Sequence, residues 1–479
     1  MWPQKSILLG MVTAVSIVLG TAGLLWQLIT LGVQRYTLGG WAAPLGIDLY
    51  VDGLSLLMLI ITALVGLGIS SYSIDYFSPV SGAHKASDKN NTENNKAQAF
   101  WPLWLFLWAA LNALFLSADI FNLYVTLELL GLSAVALVAL AGTRDALSAA
   151  MRYLLVSLLG SLFFLFGVAL LYHSYGSVDI ATLAQQIKPG PIMSIIMALM
   201  MSGLLLKTAL FPMHFWLPPA HGSAPAPVSA LLSALVVKAS FYIFLRLWLE
   251  FSPVLDVSHI ASFLGLLGAV AVVWGGVQAL RQVRLKMLIA YSTVAQLGYL
   301  FLAFPLASVY AWQGGLYLLL SHAFAKAAMF LAAGNIMYFC GHDRISDLDR
   351  VAQRLPITVS AFALAGISIM GLPPSGGFVA KWLMLNAALA TQQWWYVLVL
   401  VVGSLLASAY IFKVIGYAFT QAAQSAEEIK TKPVPLTMEW AALALAFVAL
   451  LLGLFSGYPL ALMDIGSPFL SEIASGGVK

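Results

Sequence analysis

The chain has 479 residues, of which 61% are hydrophobic and only 9% charged, and its net charge is +4. A soluble globular domain usually has about a quarter of its residues charged, so this composition excludes a soluble globule and indicates a protein embedded in a bilayer. The single cysteine excludes an internal disulfide framework and a cysteine-ligated metal or iron–sulfur cluster, and no basic cluster interleaved with aromatic residues indicates nucleic-acid binding.

Apolar runs of about 20 residues predict membrane-spanning helices. They lie at residues 6–30, 52–76, 100–117, 119–141, 147–172, 192–212, 226–249, 259–281, 286–305, 309–338, 357–390, 395–419 and 437–457. We therefore predict an all-α polytopic membrane protein with about thirteen transmembrane helices. The first run lacks a small-residue cleavage site, so we expect a retained helix rather than a signal peptide. The hydrophilic segment 78–98 is predicted to be a mobile surface loop.

Basic residues between the predicted spans predict the orientation. Thirteen of them lie in alternate loops that would share one side, whereas only Arg35, Lys188 and Lys479 lie on the other side. Because cytoplasmic loops are enriched in Lys and Arg, we expect the N-terminus inside and the C-terminus outside.

Lys207 lies in the sixth predicted span, which prolines then interrupt between residues 212 and 219. A charged side chain at membrane depth costs about 2.5–3.5 kcal/mol on insertion scales and usually has a function. Interrupted backbone at that depth requires protein or a water-filled cavity around it. The combination predicts a path for a small charged species. His214 and His221, at the mouth of the break, could gate proton movement or could be ordinary interfacial residues.

A second span, 357–390, shows the same pattern, because Gly371-Leu-Pro-Pro-Ser-Gly-Gly interrupts it and Lys381 follows. Two interrupted segments in corresponding places indicate an internal repeat with sites at its interface. We predict two inverted five-helix repeats, each containing one broken helix. The predicted organisation is two helices and a loop in 1–99, repeats in 100–250 and 258–420, and a C-terminal helix and tail in 437–479.

Four lysines lie deep in separate predicted spans: Lys207, Lys238, Lys326 and Lys381. Glu128 is the one acid that is clearly within a span, so it cannot neutralise them all. Burial and like charge both disfavour the ammonium form, so some of these lysines should release a proton readily, which an arginine could not do. The alternative is that the lysines bind backbone carbonyls and hold helices together.

Other polar residues in the spans are weaker candidates. His322 lies one helical turn before Lys326 on the same face, and because histidine titrates near physiological pH a shuttle role is favoured. Ser292, Gln296 and Tyr299 form a stripe that could order water or make interhelical hydrogen bonds. Arg152 and Arg246 lie near span ends and are expected to extend their charged groups to the membrane interface. Asp52 and Asp119, at span edges, are expected to begin helices. Lys413 is an additional candidate for the relay or gate.

Five motifs occur in order along the chain: Asp119-Ile-Phe-Asn-Leu-Tyr-Val-Thr-Leu-Glu128, Lys207 through Pro219, Lys286-Met-Leu-Ile-Ala-Tyr-Ser292, His322-Ala-Phe-Ala-Lys326 and Gly371 through Lys381. In these motifs the chain resembles the antiporter-like subunits shared by respiratory complex I, membrane-bound hydrogenases and Mrp-type cation/proton antiporters. The first motif looks closest to the D-type subunit of the Mrp antiporters.

The resemblance implies a proton-translocating subunit, with sodium exchange as an option, inside a multi-subunit complex of the bacterial inner membrane. The implied relay consists of an ion pair of Glu128 with Lys207, a connecting and central group of Lys238, His322 and Lys326, and the exchange residue Lys381. We expect no catalytic chemistry, metal or cofactor on this chain, and no Gly-rich nucleotide-binding turn is present for NADH. The expected partners are other membrane subunits, protons and lipid.

Two features differ from the family pattern. One helix rather than two precedes Gly40-Trp-Ala-Ala-Pro-Leu-Gly-Ile47, so we expect the first family helix to be missing, and Arg284 stands where an acid is common. Competing interpretations are a proton-flux subunit of an inorganic-carbon uptake module and a proton-pumping subunit of a quinone oxidoreductase or hydrogenase. An intramembrane lipid-linked transferase is disfavoured, because the longest loop lacks the acidic residues such an enzyme needs.

Overall fold

The computed structural model describes residues 3–41, 43, 46–77, 87–255, 257–421 and 432–467, and for residues 3–4 and 87–95 it describes the backbone alone. Within these residues, twelve helices are long and apolar enough to cross a membrane, and two shorter apolar helices, Pro356–Met370 and Gly376–Ala390, follow one another. The two short helices are the halves of one interrupted span. The predicted set of about thirteen crossings is therefore confirmed.

The helices in chain order are α1 Pro3–Leu31, α2 Gly53–Tyr76, α3 Ser87–Leu116, α4 Ile120–Ala139, α5 Arg144–Tyr175, α6 Ile180–Gln186, α7 Pro191–Thr208, α8 Leu217–Ser223, α9 Ala226–Leu231, α10 Val237–Phe251, α11 Ser258–Arg281, α12 Leu285–Phe301, α13 Ala303–Leu306, α14 Val309–Cys340, α15 Val351–Arg354, α16 Pro356–Met370, α17 Gly376–Ala390, α18 Trp394–Phe419, α19 Leu436–Leu454 and α20 Gly457–Asp464. A π-helical turn, Leu232–Val236, joins α9 to α10. The span formed by α9, this turn and α10 is wholly enclosed by other helices, as is the central part of α14, whereas α1 lies at the edge of the bundle.

A small hairpin is present that the sequence did not predict. Strand β1, Gln34–Thr37, pairs antiparallel with β2, Asp48–Val51. The Arg35 guanidinium binds the carboxylates of Asp48 and Asp179, which ties the hairpin to the start of α6. Neither segment alternates strictly between apolar and polar residues, so periodicity gives no signal for a strand here.

Aspartates begin two of the spans, as predicted. Asp52 accepts a hydrogen bond from the Ser55 amide at 2.8 Å, and Asp119 accepts one from the Asn122 amide at 2.6 Å. The first four amides of a helix have no partner within the helix, and a side-chain oxygen at the N-cap satisfies one of them.

Arg246 does not snorkel, contrary to the prediction. Its side chain is buried, binds both carboxylate oxygens of Asp52, one at 2.9 Å, and donates to the Tyr242 hydroxyl at 3.0 Å. A carboxylate directly opposite gives the guanidinium a partner inside the bundle, so the side chain has no need to reach the interface. Breaking a buried pair of this kind typically costs about 3–5 kcal/mol.

Part of the segment predicted as a loop is helical. The backbone of residues 87–98 belongs to α3, which begins at Ser87, while residues 78–86 lie outside the described part. Helix formation is cooperative, so a formed span continues into polar sequence when that sequence contains good helix formers such as Lys96 and Ala97. The Lys96 ammonium also donates to the Ala141 carbonyl at 3.3 Å, close to the end of α4.

Candidate functional site

Lys207 lies in the last turn of α7, the half-helix before the first break. Its ammonium donates to a Glu128 carboxylate oxygen on α4 at 2.9 Å. The Lys207 side chain is 6% exposed, whereas that of Glu128 is 19% exposed and so reaches the surface of the chain. The structure thus brings together the two residues that the sequence analysis paired.

A cavity of about 10 Å³ adjoins this ion pair and is lined by Gly131, Tyr153, Ser157, Lys207 and Ser240, among others. A space of this size holds roughly one water molecule, and the lysine and the hydroxyls supply polar partners. A Cβ atom added at Gly131 would lie 2.8 Å from the Ser157 hydroxyl oxygen and 3.8 Å from the Lys207 nitrogen. The absence of a side chain at this glycine therefore keeps the space beside the lysine open.

Lys238 lies directly after the π-helical turn and is completely buried. Its ammonium donates to the Ser233 carbonyl at 2.9 Å and to the Ala234 carbonyl at 2.8 Å. Because a π turn interrupts the regular pattern of helical hydrogen bonds, it offers carbonyl oxygens to a side chain in this way, and such turns are frequent at functional sites. The Ser233 hydroxyl also bonds to that of Thr293 at 2.8 Å, which connects this turn to α12.

Lys326 is at the centre of α14 and is also completely buried. Its ammonium donates to the Ile289 carbonyl at 3.1 Å and to the Ser292 hydroxyl, both on α12. His322, one turn earlier, is 3% exposed, and its Nε2 is buried without a hydrogen-bond partner.

Lys381 lies on α17, just after the second break. Its ammonium donates to the carbonyls of Ile369 and Met370 at 3.0 and 3.1 Å and to the Ser404 hydroxyl at 3.1 Å. The nitrogen lies 4.9 Å from the centre of the Tyr299 ring. The two carbonyls form the end of α16, where the helix dipole favours a cation.

The Gln296 amide donates to the Ile369 carbonyl at 3.3 Å, and its own oxygen is buried without a partner. Gln296 and Lys381 therefore share the carbonyl of Ile369. Lys238, Lys326 and Lys381 all bind backbone carbonyls, so the contacts named in the alternative interpretation do occur. Carbonyl binding does not prevent proton exchange, because a carbonyl brings no countercharge.

The remaining candidates differ in their surroundings. His221 is fully buried, with Nδ1 2.9 Å from the Leu217 carbonyl and Nε2 without a partner. Since a carbonyl only accepts, Nδ1 bears the hydrogen and Nε2 can accept a proton. His214 is half-buried and stacks on Phe211. Lys413 donates at 2.8 Å to two backbone carbonyls at the end of α11, neither of which belongs to a residue of the predicted relay.

Several buried charged residues were missed, and two of them lie at the start of spanning helices. Lys286, assigned to a loop by the charge count, is 2% exposed, and its ammonium binds the Ala224 carbonyl in the first broken segment. Glu439 is 7% exposed and accepts from the Thr358 amide at 3.2 Å and hydroxyl at 2.9 Å, which caps the start of α16. Each lies in the first turn of its helix, where a charge suggests an interface, and only the packing shows that it is buried.

Among the residues that the structure describes, no group of three or more His, Cys, Asp or Glu is placed to hold a metal ion. The polar groups of the site are instead amines, imidazoles, hydroxyls and one paired carboxylate. Groups of these types can accept and release protons.

Comparisons with known proteins identify the family. Residues 117–407 match the family model described as NADH:quinone oxidoreductase/Mrp antiporter, TM. The N-type subunit of the NADH-quinone oxidoreductase of Desulforudis audaxviator (strain MP104C) is 36% identical over 405 residues, which cover 84% of this chain and 78% of that protein. The D-type subunit of the Na(+)/H(+) antiporter of Bacillus subtilis (strain 168) is 28% identical over 411 residues, covering 85% and 80%.

A solved structure has the same fold. A chain in the structure of the Mrp complex from Dietzia sp. DQ12-45-1b superposes with a TM-score of 0.86 at 24% sequence identity, covering 99% of this chain and 95% of that one. The resemblance inferred from the five motifs is therefore confirmed. The chain belongs to the NADH:quinone oxidoreductase/Mrp antiporter family of multi-pass membrane proteins.

Proposed function

We propose that this chain is a proton-translocating subunit of a multi-subunit complex in the bacterial inner membrane. The observation that carries the proposal is that the four buried lysines of the predicted relay, Lys207, Lys238, Lys326 and Lys381, have one carboxylate among their described hydrogen-bond partners, that of Glu128. A buried ammonium without a countercharge is costly, so these amines are suited to hold a proton in turn rather than all at once.

In the first half, Glu128 controls the charge of Lys207. While the ion pair is closed, the carboxylate stabilises the ammonium; when Glu128 turns toward the surface of the chain, the lysine loses this countercharge. Two charges 4 Å apart interact by about 4 kcal/mol at an effective dielectric constant of about 20. Opening the pair therefore drives the proton from Lys207 toward the centre of the chain.

In the centre, Lys238 and Lys326 receive and pass on the proton. The unpaired Nε2 of His221 is an acceptor, and the unpaired Nε2 of His322 is likewise free to exchange protons with these amines. At the far end, Lys381 holds a proton at the carbonyl end of α16 until it is exchanged with solvent or with a neighbouring subunit.

We further propose that residues 100–250 and 258–420 form two inverted repeats, with the N-terminus inside and the C-terminus outside. The inverted relation is supported by the order of lysine and break along the chain. Lys207 precedes the break in the first half, whereas Lys381 follows the break in the second. The bias of basic residues toward one side supports the orientation.

The driving force has two candidates, and each has an observation in its favour. Similarity over most of the chain to the D-type subunit of a protein named Na(+)/H(+) antiporter favours exchange driven by an ion gradient. The 36% identity to the N-type subunit of an NADH-quinone oxidoreductase favours redox-driven pumping. Purification of the complex from native membranes separates them: iron–sulfur subunits would indicate redox driving, and membrane subunits alone would indicate an antiporter.

The relay is tested by Glu128→Ala and Lys381→Ala in the complete complex. We expect each variant to assemble and to lose proton movement in reconstituted vesicles, measured with a pH-sensitive dye under an imposed membrane potential. Lys188→Ala is the control, because Lys188 is exposed and lies outside the described spans. Normal proton movement by either relay variant would remove that residue from the path.

A further inference from the structure

The proton path proposed above needs a carrier between Lys326 and Lys381, which lie on different helices, α14 and α17. The ammonium of Lys326 donates to the hydroxyl of Ser292, and that of Lys381 donates to the hydroxyl of Ser404. Each lysine is therefore hydrogen-bonded to a group that can both accept and donate a proton. A proton path between the lysines therefore requires polar groups that connect Ser292 with Ser404.

Two buried tyrosines lie between these serines. Tyr410, on α18, is 1% exposed, and its hydroxyl faces the side chains of Ser292 and Gln296. Tyr299, on α12, is completely buried, its hydroxyl faces Ser404, and it interacts electrostatically with Tyr410. Neither tyrosine hydroxyl makes a hydrogen bond of good geometry in this arrangement. Buried hydroxyls rarely stay unpaired, so both are poised to bond with the neighbours they face.

We propose that the hydroxyls of Ser292, Tyr410, Tyr299 and Ser404 form a proton-conducting chain between Lys326 and Lys381. This inference rests on the proposed function, because the row of hydroxyls carries protons only if both lysines exchange them. Neither Tyr410 nor Ser404 was singled out from the sequence. In the structure they come from one helix, α18, which brings them against the polar stripe of α12.

The transfer is balanced at every step. The Ser292 hydroxyl donates to the Ile289 carbonyl at 2.9 Å, so its O–H bond first turns toward Tyr410. The Lys326 ammonium then gives one proton to the Ser292 oxygen as that hydroxyl passes its own hydrogen to Tyr410. Tyr410 and then Tyr299 repeat the exchange once their hydroxyls, unpaired in this arrangement, approach to hydrogen-bonding distance, and Ser404 gives its hydrogen to the neutral amine of Lys381. One proton leaves the first lysine and one reaches the second, no charge stays on a hydroxyl, and rotation of the O–H bonds resets the chain.

Two neighbours hold the tyrosines in place. The Gln296 amide is fixed by its bond to the Ile369 carbonyl, so its unpaired oxygen is directed at Tyr410 as a positioning acceptor. Gly403 packs against the Tyr299 hydroxyl so closely that a Cβ atom there would collide with it. The glycine thus allows the tyrosine to reach Ser404, one residue along the same helix.

The ordinary alternative is that both tyrosines only fill space between helices. Single variants Tyr410→Phe and Tyr299→Phe keep the ring and remove the hydroxyl. We expect each to lower the maximal rate of proton movement by about tenfold or more, with little change in the ion concentration at half-maximal rate, because the path and not binding is interrupted. The complete complex in vesicles under an imposed membrane potential gives both quantities.

The double variant separates conduction from packing. Two hydroxyls in series interrupt the same path, so Tyr299→Phe with Tyr410→Phe should be no slower than the slower single variant, whereas independent packing defects should multiply. Multiplying defects, or single variants with more than half of the normal rate, would overturn the proposal.

Tyr396→Phe is the matched control, since Tyr396 is also on α18 and also 1% exposed but is absent from the chain of hydroxyls. We expect it to move protons at the normal rate. Normal rates in both tyrosine variants together with an inactive Lys381→Ala would refute the hydroxyl chain alone. Normal rates in all three would refute the assignment of Lys381 to the proton path as well.

Discussion

The two broken helices place a lysine in different electrical surroundings. At the first break, Lys207 ends a half-helix and is paired with a carboxylate on another helix, and that carboxylate is partly exposed. At the second break, Lys381 follows the interruption and is surrounded by two carbonyls, a hydroxyl and an aromatic ring. A side-chain carboxylate can move or be neutralised, whereas helix-end carbonyls are fixed.

The difference between a movable carboxylate and fixed carbonyls suggests that Lys207 and Lys381 have different roles. A movable countercharge makes Lys207 responsive to events at the surface of the chain, because turning Glu128 away changes the stability of the ammonium. The fixed dipoles around Lys381 hold a proton with constant strength. Under the proposed function, the first break is therefore the controlled site and the second is the site of exchange.

The largest expected effect comes from making either charge permanent. Lys207→Arg and Lys381→Arg keep a cation with hydrogen-bond donors but cannot release a proton. We expect both complexes to assemble and both to show only background proton movement in vesicles. Normal movement by Lys207→Arg would show that the first ion pair is structural, and the contrast between the two breaks would fail.

A smaller effect is expected from closing the cavity at the first break. Gly131→Ala places a methyl group beside the Ser157 hydroxyl and reduces the space next to Lys207. We expect a several-fold slower rate, because the lysine loses room for a water molecule, while assembly is maintained. Gly20→Ala, at a position with open space around it, is the control. Equal rates in both variants would mean that the cavity plays no part.

The smallest effect is expected at the start of α16. Glu439→Gln keeps an acceptor for Thr358 but removes a negative charge from the positive end of the helix. Such a charge contributes about 0.3–1 kcal/mol, so a small fall in the unfolding midpoint is expected, with rates within a factor of about two. Glu439→Asp should restore the midpoint in part. An unchanged midpoint in Glu439→Gln would show that the charge at this helix end is not stabilising.

The sequence predicted those features of the fold and site that depend on residues close together in the chain. Apolar run length identified the spans, prolines and glycines identified both breaks, and motif order allowed Glu128 to be assigned to Lys207. It did not reveal contacts between distant helices. The ion pair of Arg246 with Asp52 and the approach of Tyr410 to Ser292 depend on which helices are neighbours, and periodicity within one helix gives only the face on which a residue lies.

The π-helical turn before Lys238 has a consequence for how this protein can vary. One residue more or fewer in an α-helix rotates all that follows by about 100°. Deleting one residue from Leu232–Val236 would therefore turn α10 about its axis, moving Lys238 away from its carbonyls and Arg246 away from Asp52. Volume-conserving substitutions in this buried turn should be tolerated better than changes of its length, so the number of residues in the turn is itself a functional parameter.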